Sequence, residues 1–104
     1  MARRVVWTEA ASSDLAGAAD YIARDSRFYA AAFVREVRAA ARSLRLSPER
    51  GRVVPELGQP EIRQLLVQSY RLVYSVAPKQ VHVLALIHGA RDFTKAWGEH
   101  DLFL

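Results

Sequence analysis

The sequence contains no cysteine and no long apolar run, and each absence excludes a class of protein. Without cysteine the chain has neither a disulfide framework nor a thiolate metal site, and nothing indicates an oxidising compartment. No stretch approaches the roughly 20 apolar residues of a membrane-spanning helix, and the N-terminus lacks the apolar segment of a signal peptide. These observations predict a cytoplasmic protein.

Lysine is also scarce, so nearly all of the positive charge comes from arginine. Fifteen Lys and Arg residues against 11 Asp and Glu give a formal net charge of +4. This balance favours an anionic partner, either nucleic acid or an acidic protein, although an arginine-rich proteome alone would produce the same surface. With 51% hydrophobic and 25% charged residues, the 104 residues are typical of one globular domain, here residues 1–104, with one core.

The densest β-branched and aromatic content lies in residues 61–93. It predicts a three-stranded antiparallel meander with strands at 62–68, 70–76 and 81–88, the last two joined by a turn at Pro78 and Lys79. The third run is apolar at nearly every position, which predicts a central strand covered by helices on at least one side. A regular pleat would place residues 81, 83, 85 and 87 together on one face of that strand.

The first half of the chain predicts a strand followed by two helices. Residues 3–7 form a short strand that must pair with the meander, and Thr8 stands at the N-cap position before a helix beginning at Glu9. A second amphipathic helix begins near Phe28, which makes a helical hairpin. The predicted buried stripes are Leu15, Ala18, Ala19 and Ile22 in the first helix and Phe33, Val37, Ala40, Ala41 and Leu44 in the second.

Two segments lack clear periodicity. Residues 47–60 contain three prolines and two glycines and predict a long loop, which carries Arg50 and Arg52. Long ordered loops are often functional. Residues 94–104 predict a C-terminal tail in which Trp97, Phe103 and Leu104 either cover a sheet edge or fray.

Short motifs in this order resemble a known superfamily. They are VVWT at 5–8, DYI at 20–22, PEL at 55–57, YRLVY at 70–74 and HGARD at 88–92. Over about residues 5–93 the chain resembles the RelE/ParE superfamily of type II toxins, and within it the ParE branch. The resemblance implies an α+β fold of order β-α-α-β-β-β, with an antiparallel sheet packed against an N-terminal helical hairpin. It also implies a growth-inhibiting toxin that binds DNA gyrase without a cofactor and is neutralised by a cognate antitoxin.

Two alternative functions stay open. One is a RelE-like, ribosome-dependent and metal-independent endoribonuclease that cleaves mRNA, for which Arg63, Arg71, His88 and Arg91 are the catalytic candidates. RelE-type enzymes also use a tyrosine near the C-terminus, and no tyrosine follows Arg91 in this chain. Few side chains are therefore available as the general acid and general base of RNA cleavage, and we expect a non-enzymatic protein. The other is an inactive homologue that serves only as the partner of an antitoxin.

The candidate binding residues are mostly arginines. If Arg63 and Arg71 were aligned on one face, their mutual repulsion would favour an anion site. Arg91 beside Asp92 is also consistent with a local ion pair, and His88 with a hydrogen-bonded structural role. No metal site is predicted, because His82 and His88 lie too far apart along one strand. The candidates for target or anion binding are Arg50, Arg52, Arg63, Arg71 and Arg91.

The antitoxin partner is expected to contribute an acidic segment. A small sheet with helices on one face leaves a groove and an open edge, which a partner strand or helix completes. The net positive charge favours acidic residues in that partner. Leu15, Ile22 and Phe33 mark the helical faces whose outer edges are candidates for this contact.

Overall fold

A computed structural model describes residues 2–100 of the chain. Its elements are β1 (Arg4–Trp7), α1 (Glu9–Ala23), α2 (Arg27–Ser43), β2 (Arg52–Val53), β3 (Ile62–Val67), β4 (Tyr70–Val76), β5 (Gln80–His88) and α3 (Phe93–Gly98). The five strands form one sheet in the order β1-β5-β4-β3-β2. The predicted α+β class is confirmed, with one addition: β1 pairs with β5 in parallel, whereas the other neighbours are antiparallel.

Local capping chemistry explains where the helical hairpin begins and turns. The Thr8 hydroxyl accepts the Ala11 N–H at 3.1 Å, which confirms the predicted N-cap of α1. Ser26 caps α2 in the same way by accepting the Tyr29 N–H at 3.1 Å. The second helix therefore begins at Arg27, one residue before the predicted start.

The sheet has a core on each face. The larger one lies between the sheet and the α1–α2 hairpin, and Phe33 and Val37 of α2 are almost fully buried in it. A smaller core on the opposite face is built from Val54, Val73 and Phe93 and is covered by α3. Burial on both faces explains why β5 is apolar at nearly every position.

A β-bulge in β5 changes which side chains share a face. Val83 lies opposite Tyr74, but Ala85 lies opposite Val73, so Leu84 is an extra residue on β5. The prediction that residues 81, 83, 85 and 87 share one face is therefore wrong. Val81 and Val83 contact the hairpin-side core, whereas residues 85 and 87 contact the core beneath α3.

Two segments hold more structure than the sequence predicted. The long loop contains the two-residue strand β2, which pairs with β3 at the sheet edge. The predicted tail begins with α3, whose N-cap Asp92 accepts the Lys95 N–H at 3.3 Å. This helix covers a face of the sheet rather than an edge, with Phe93 and Ala96 buried; Phe103 and Leu104 lie outside the described residues. None of the helices in residues 2–100 is long and apolar enough to cross a membrane.

Candidate functional site

Arg63 and Arg71, the two arginines whose alignment on one face would favour an anion site, lie on opposite faces of the sheet. Arg63 is paired directly with Tyr74, and paired residues share a face. Arg71 precedes Tyr74 by three positions on the same strand, so its side chain points to the other face. The two arginines are therefore not aligned, and the condition under which they would favour an anion site is not met.

Arg63 instead fixes the start of the long loop. Its guanidinium donates to the Gly51 carbonyl at 2.9 Å. The Gly51 N–H donates to the Tyr74 hydroxyl at 2.9 Å, and that hydroxyl donates to the Pro48 carbonyl at 2.8 Å. Tyr74 is fully buried, and this burial raises the pKa of its phenol. A Cβ on Gly51 would lie 2.6 Å from the same hydroxyl, so this position requires glycine.

Arg71 fixes the other end of the loop on the opposite face. Its guanidinium donates to Glu56 at 2.8 Å and to the Gln64 side-chain oxygen at 3.2 Å. It also lies over the Phe93 ring, 4.9 Å from the centroid. The hydrogen bond from Arg71 lowers the pKa of Glu56. Arg71 thereby connects the loop, the sheet and α3.

The two loop arginines occupy separate positions as well. Arg50 donates to the Ser43 hydroxyl at 2.6 Å and lies beside α2. Arg52 is exposed on the edge strand β2, opposite Gln64. The five predicted arginines are thus distributed over both faces of the sheet, and no single anion site contains all of them.

His88 and Arg91 do come together, beside a cavity of about 290 Å³ between α1 and the end of β5. The His88 Nδ1 accepts the Ala90 N–H at 3.0 Å, and its ring meets the Tyr70 ring edge-on at 4.9 Å. Because a backbone N–H can only donate, this ring carries its proton on Nε2. The cavity is lined by Ser13, Asp14, Gly17, Ala18, Tyr21, Tyr70, Leu86, His88 and Arg91.

The local ion pair between Arg91 and Asp92, with which the sequence is consistent, does not form in this structure. Arg91 pairs with Glu99 of the segment after α3, at 2.8 Å, and both side chains are more than half exposed. Asp92 acts as the N-cap of α3 instead. Neighbouring positions in the sequence therefore do not indicate the ion-pair partner of Arg91, because α3 brings Glu99 close to its guanidinium.

Asp14 is a central residue of this region that the sequence did not indicate. One carboxylate oxygen accepts the Leu86 N–H at 2.9 Å and lies 2.7 Å from the His100 Nε2. The other ring nitrogen of His100 lies 2.9 Å from the Ala96 carbonyl. Asp14 thereby joins α1 to both β5 and the end of α3. Within residues 2–100, no three His, Asp or Glu side chains are grouped so that they could hold a metal ion.

The three residues predicted to contact an antitoxin belong mainly to the core. Leu15 and Phe33 are only 6% and 1% exposed, packed between the hairpin and the sheet. Ile22 is partly buried against the same core. In this structure they pack in the core between the hairpin and the sheet. A partner that binds the outer surface of the hairpin must therefore contact exposed side chains of the two helices as well.

Sequence reasoning missed a second group of arginines beside β1. Arg38 and Arg42 of α2, together with Arg45 just beyond the end of this helix, line a cleft of about 500 Å³ that β1 also lines. Their spacing of four and three residues is the signal that could have revealed a basic helical stripe. We call this feature the arginine cleft; it is lined by Ala2, Arg3, Arg4, Val5, Trp7, Arg38, Ala41, Arg42 and Arg45.

Comparison with known proteins gives three concordant similarities. Residues 5–93 match a family model described as the ParE toxin of the type II toxin-antitoxin system parDE. The chain is 38% identical over 89 residues to Toxin RelE2 of Caulobacter vibrioides, covering 85% of this chain and 97% of that protein. In fold it is similar to a chain of the chromosomal ParDE TA system from P. aeruginosa, with a TM-score of 0.69 at 20% identity, covering 83% of this chain and 95% of the other.

Proposed function

The chain belongs to the ParE toxin family of type II toxin-antitoxin systems, and from this premise we propose that it inhibits growth by binding DNA gyrase in the cytoplasm. Membership of the family implies a cognate antitoxin as partner. The proposal concerns the target and the mode of action, which is binding without chemical conversion of a substrate.

The observation that carries the proposal is the separation of Arg63 from Arg71. Metal-free RNA cleavage needs a base, an acid and cations that converge on one phosphodiester. These two arginines lie on opposite faces, and each is hydrogen-bonded to the loop between α2 and β3. Their geometry favours a structural role, which supports a toxin that acts by binding.

The exposed arginines are the proposed contacts to the target. Arg50 and Arg52 are exposed on the loop and the edge strand, and Arg91 is 53% exposed at the end of β5. Arg63 and Arg71 position the loop that carries the first two. Replacing Arg71 should therefore weaken target binding indirectly, through the loop, whereas replacing Arg52 should do so directly.

A second candidate function is a RelE-like, ribosome-dependent endoribonuclease, and one cavity favours it. His88, Arg91 and Tyr70 line the same 290 Å³ cavity, so a titratable ring, a cation and a phenol are close together. The relative at 38% identity carries the name RelE2. If this function holds, His88 is the candidate acid or base and Arg91 the candidate cation for the developing charge.

The test compares both targets with one protein preparation. Purified chain is titrated into gyrase with ATP and plasmid, with and without the cognate antitoxin, and in parallel into translating ribosomes with mRNA. We expect loss of supercoiling or accumulation of linear DNA, reversed by antitoxin, and no mRNA cleavage. His88→Gln should leave this gyrase effect within about twofold.

Two other outcomes would replace the proposal. Ribosome-dependent mRNA cleavage that His88→Gln and Arg91→Ala abolish, without a gyrase effect, would establish the second candidate. No effect on either target, by a folded chain that still binds antitoxin, would indicate a homologue that acts only as an antitoxin partner.

A further inference from the structure

In the part of the chain that the structure describes, five arginines and no carboxylate line the arginine cleft. Arg38 and Arg42 are exposed on α2, Arg45 is exposed in the turn that follows this helix, and Arg4 is exposed on β1. Within residues 2–100, none of these four side chains, nor that of Arg3, forms an ion pair with Asp or Glu. Like charges that lie close together repel one another, so the cleft favours an anionic ligand.

Hydrogen bonds fix the backbone from which these side chains extend. The Arg3 N–H donates to the Arg45 carbonyl at 2.9 Å, which joins the start of β1 to the turn after α2. The Arg3 Nε donates to the Ala77 carbonyl at 2.9 Å, next to the β4–β5 turn. Because the Arg3 N–H is already bonded, the groups that can bind a ligand at this end of the cleft are guanidinium nitrogens rather than backbone amides.

The spacing of the arginines suits a ligand with closely spaced charges. From Arg38 to Arg45 the chain advances about 10 Å along the axis of α2, at about 1.5 Å per residue. One strand of a DNA duplex presents a phosphate for about every 3.4 Å of its axis, so about three phosphates fall within that length. An extended peptide directs alternate side chains to one face about 6.7 Å apart, so about two carboxylates fall within it. The guanidinium groups therefore fit a phosphodiester backbone better than an acidic peptide strand.

The aromatic side chains favour duplex over single-stranded nucleic acid. Proteins that bind single strands stack the bases on exposed rings. Among residues 2–100, Trp7 is the one aromatic residue that lines the cleft, and it is only partly exposed. The strongly exposed rings of Tyr21, Phe28 and Tyr29 do not line it. A duplex keeps its bases stacked inside and presents its phosphates outside, so it needs guanidinium groups and no stacking platform.

We propose that the arginine cleft binds the phosphate backbone of duplex DNA, with Arg38, Arg42 and Arg45 contacting successive phosphates of one strand. Phosphate contacts of this kind position a protein on a duplex without reading its sequence. The inference rests on the proposed function in one respect, because gyrase is the target that holds duplex DNA. It adds a DNA contact to the gyrase contacts proposed for the exposed loop arginines.

The first experiment measures binding to a labelled duplex of about 20 base pairs by fluorescence anisotropy, without gyrase, at salt concentrations from about 50 to 200 mM. The test variant is Arg38→Gln with Arg42→Gln, and its matched control is Arg27→Gln with Arg35→Gln. The control removes the same charge from exposed positions of α2 that do not line the cleft. Circular dichroism confirms that both variants fold.

The expected difference follows from the release of counterions when phosphates are neutralised. Each lost phosphate contact reduces the slope of log K against log salt by about 0.9, so the slope of the test variant should fall by about 1.8. At about 50 mM salt we expect at least a tenfold loss of affinity for this variant. For the control, the slope should change by less than about 0.5 and the affinity by less than about threefold.

The second experiment uses the unaltered chain and follows backbone amide chemical shifts by NMR as the duplex is added. The amides of Arg4, Arg42 and Arg45 should shift. Those of Arg52, on the opposite edge of the sheet, and Lys95, in α3, should not. Shifts confined to β2 and α3, or equal affinity and equal salt slope for the test variant and its control, would overturn the inference.

The remaining outcomes separate this inference from other ligands and from the proposed target. Binding of single-stranded RNA without binding of the duplex would assign the cleft to RNA and overturn the inference. Polyglutamate that binds at least tenfold more tightly than the duplex, at the same concentration of negative charge, would also overturn it. Gyrase inhibition without duplex binding would overturn the inference and leave the proposed function intact. Duplex binding through the cleft without any effect on gyrase would refute the proposed target and leave the cleft assignment intact.

Discussion

Replacing Tyr74 by Phe should destabilise the protein far more than the loss of one oxygen atom suggests. The hydroxyl accepts the Gly51 N–H and donates to the Pro48 carbonyl, and all three residues are buried. Phe leaves both backbone groups without a partner, at a cost of about 1–3 kcal/mol for each. Partial relaxation of the loop should reduce the sum to about 2–4 kcal/mol, a large share of the roughly 5–15 kcal/mol that stabilises a typical domain.

Urea denaturation of the two proteins measures this difference directly. For a domain of this size, the loss corresponds to a fall of about 10–20 °C in Tm. Tyr29→Phe is the matched control, because Tyr29 is 67% exposed and its hydroxyl should contribute less than about 0.5 kcal/mol. If Tyr74→Phe costs less than about 1 kcal/mol, the hydroxyl does not anchor the loop and the reasoning from its two hydrogen bonds is refuted.

The same phenol makes stability depend on alkaline pH. Burial raises the pKa of Tyr74 and of Tyr70 in the folded chain. Above about pH 10 the unfolded chain therefore releases phenolic protons that the folded chain retains, and the free energy of unfolding falls as the pH rises. Tyr74→Phe removes one of the two groups, so the decline in urea midpoint between about pH 9.5 and 11 should become shallower. An equally steep decline in the variant would contradict this account.

Three further changes test other contacts. Glu56 has a lowered pKa because Arg71 donates to it, so its contribution to stability is present above about pH 4.5 and is lost as the pH falls through its folded pKa. Glu56→Gln should remove this loss of stability at acid pH, which thermal melts from pH 6 to 3 would measure. Because the pair is partly exposed, the loss of unfolding free energy should be below about 1 kcal/mol. Gln68 has a φ of 53°, so Gln68→Gly should stabilise the β3–β4 turn by about 0.5–1 kcal/mol, whereas a lower Tm would show that its side-chain contacts outweigh the backbone strain. Asp14→Ala should cost about 1–2 kcal/mol in urea, because the Leu86 N–H loses its acceptor, and Asp14→Asn, which retains an acceptor, should cost less.

The features that the sequence predicted well depend on near neighbours. The Thr8 cap lies three residues from the N–H that it accepts, and the strand at 70–76 ends where the alternation ends. The turn at Pro78 and Lys79 likewise follows from local chemistry, and the Ala77 N–H donates across it to the Gln80 carbonyl at 2.8 Å. Such signals are contained in short windows of sequence.

The features that were missed depend on pairing across the fold. The bulge at Leu84 exists only relative to the partner strand β4, so alternation within β5 alone could not reveal it. Whether Arg63 and Arg71 share a face depends on the register in which β3 pairs with β4. The short motifs that carry the family resemblance do not contain this register. The choice of Glu99 over Asp92 as the partner of Arg91 follows from α3, a helix too short to give a periodic signal.

The arginine cleft shows the same division between local and distant information. The stripe of Arg38, Arg42 and Arg45 can be read from helical spacing, but its position beside β1 cannot. Only the parallel pairing of β1 with β5 places the strand at the sheet edge, next to α2. The sequence therefore predicted an open sheet edge without showing that these arginines lie beside it.

The parallel pairing of β1 with β5 also sets the order in which the chain can fold. Arg4 pairs with Gln80, so the first strand has no partner until more than three quarters of the chain has left the ribosome. Until then the apolar face of the α1–α2 hairpin has no complete sheet to cover it. Contacts between such distant residues slow folding, because a long loop must close before they form. The sheet therefore cannot be completed until β5 is available to pair with β1.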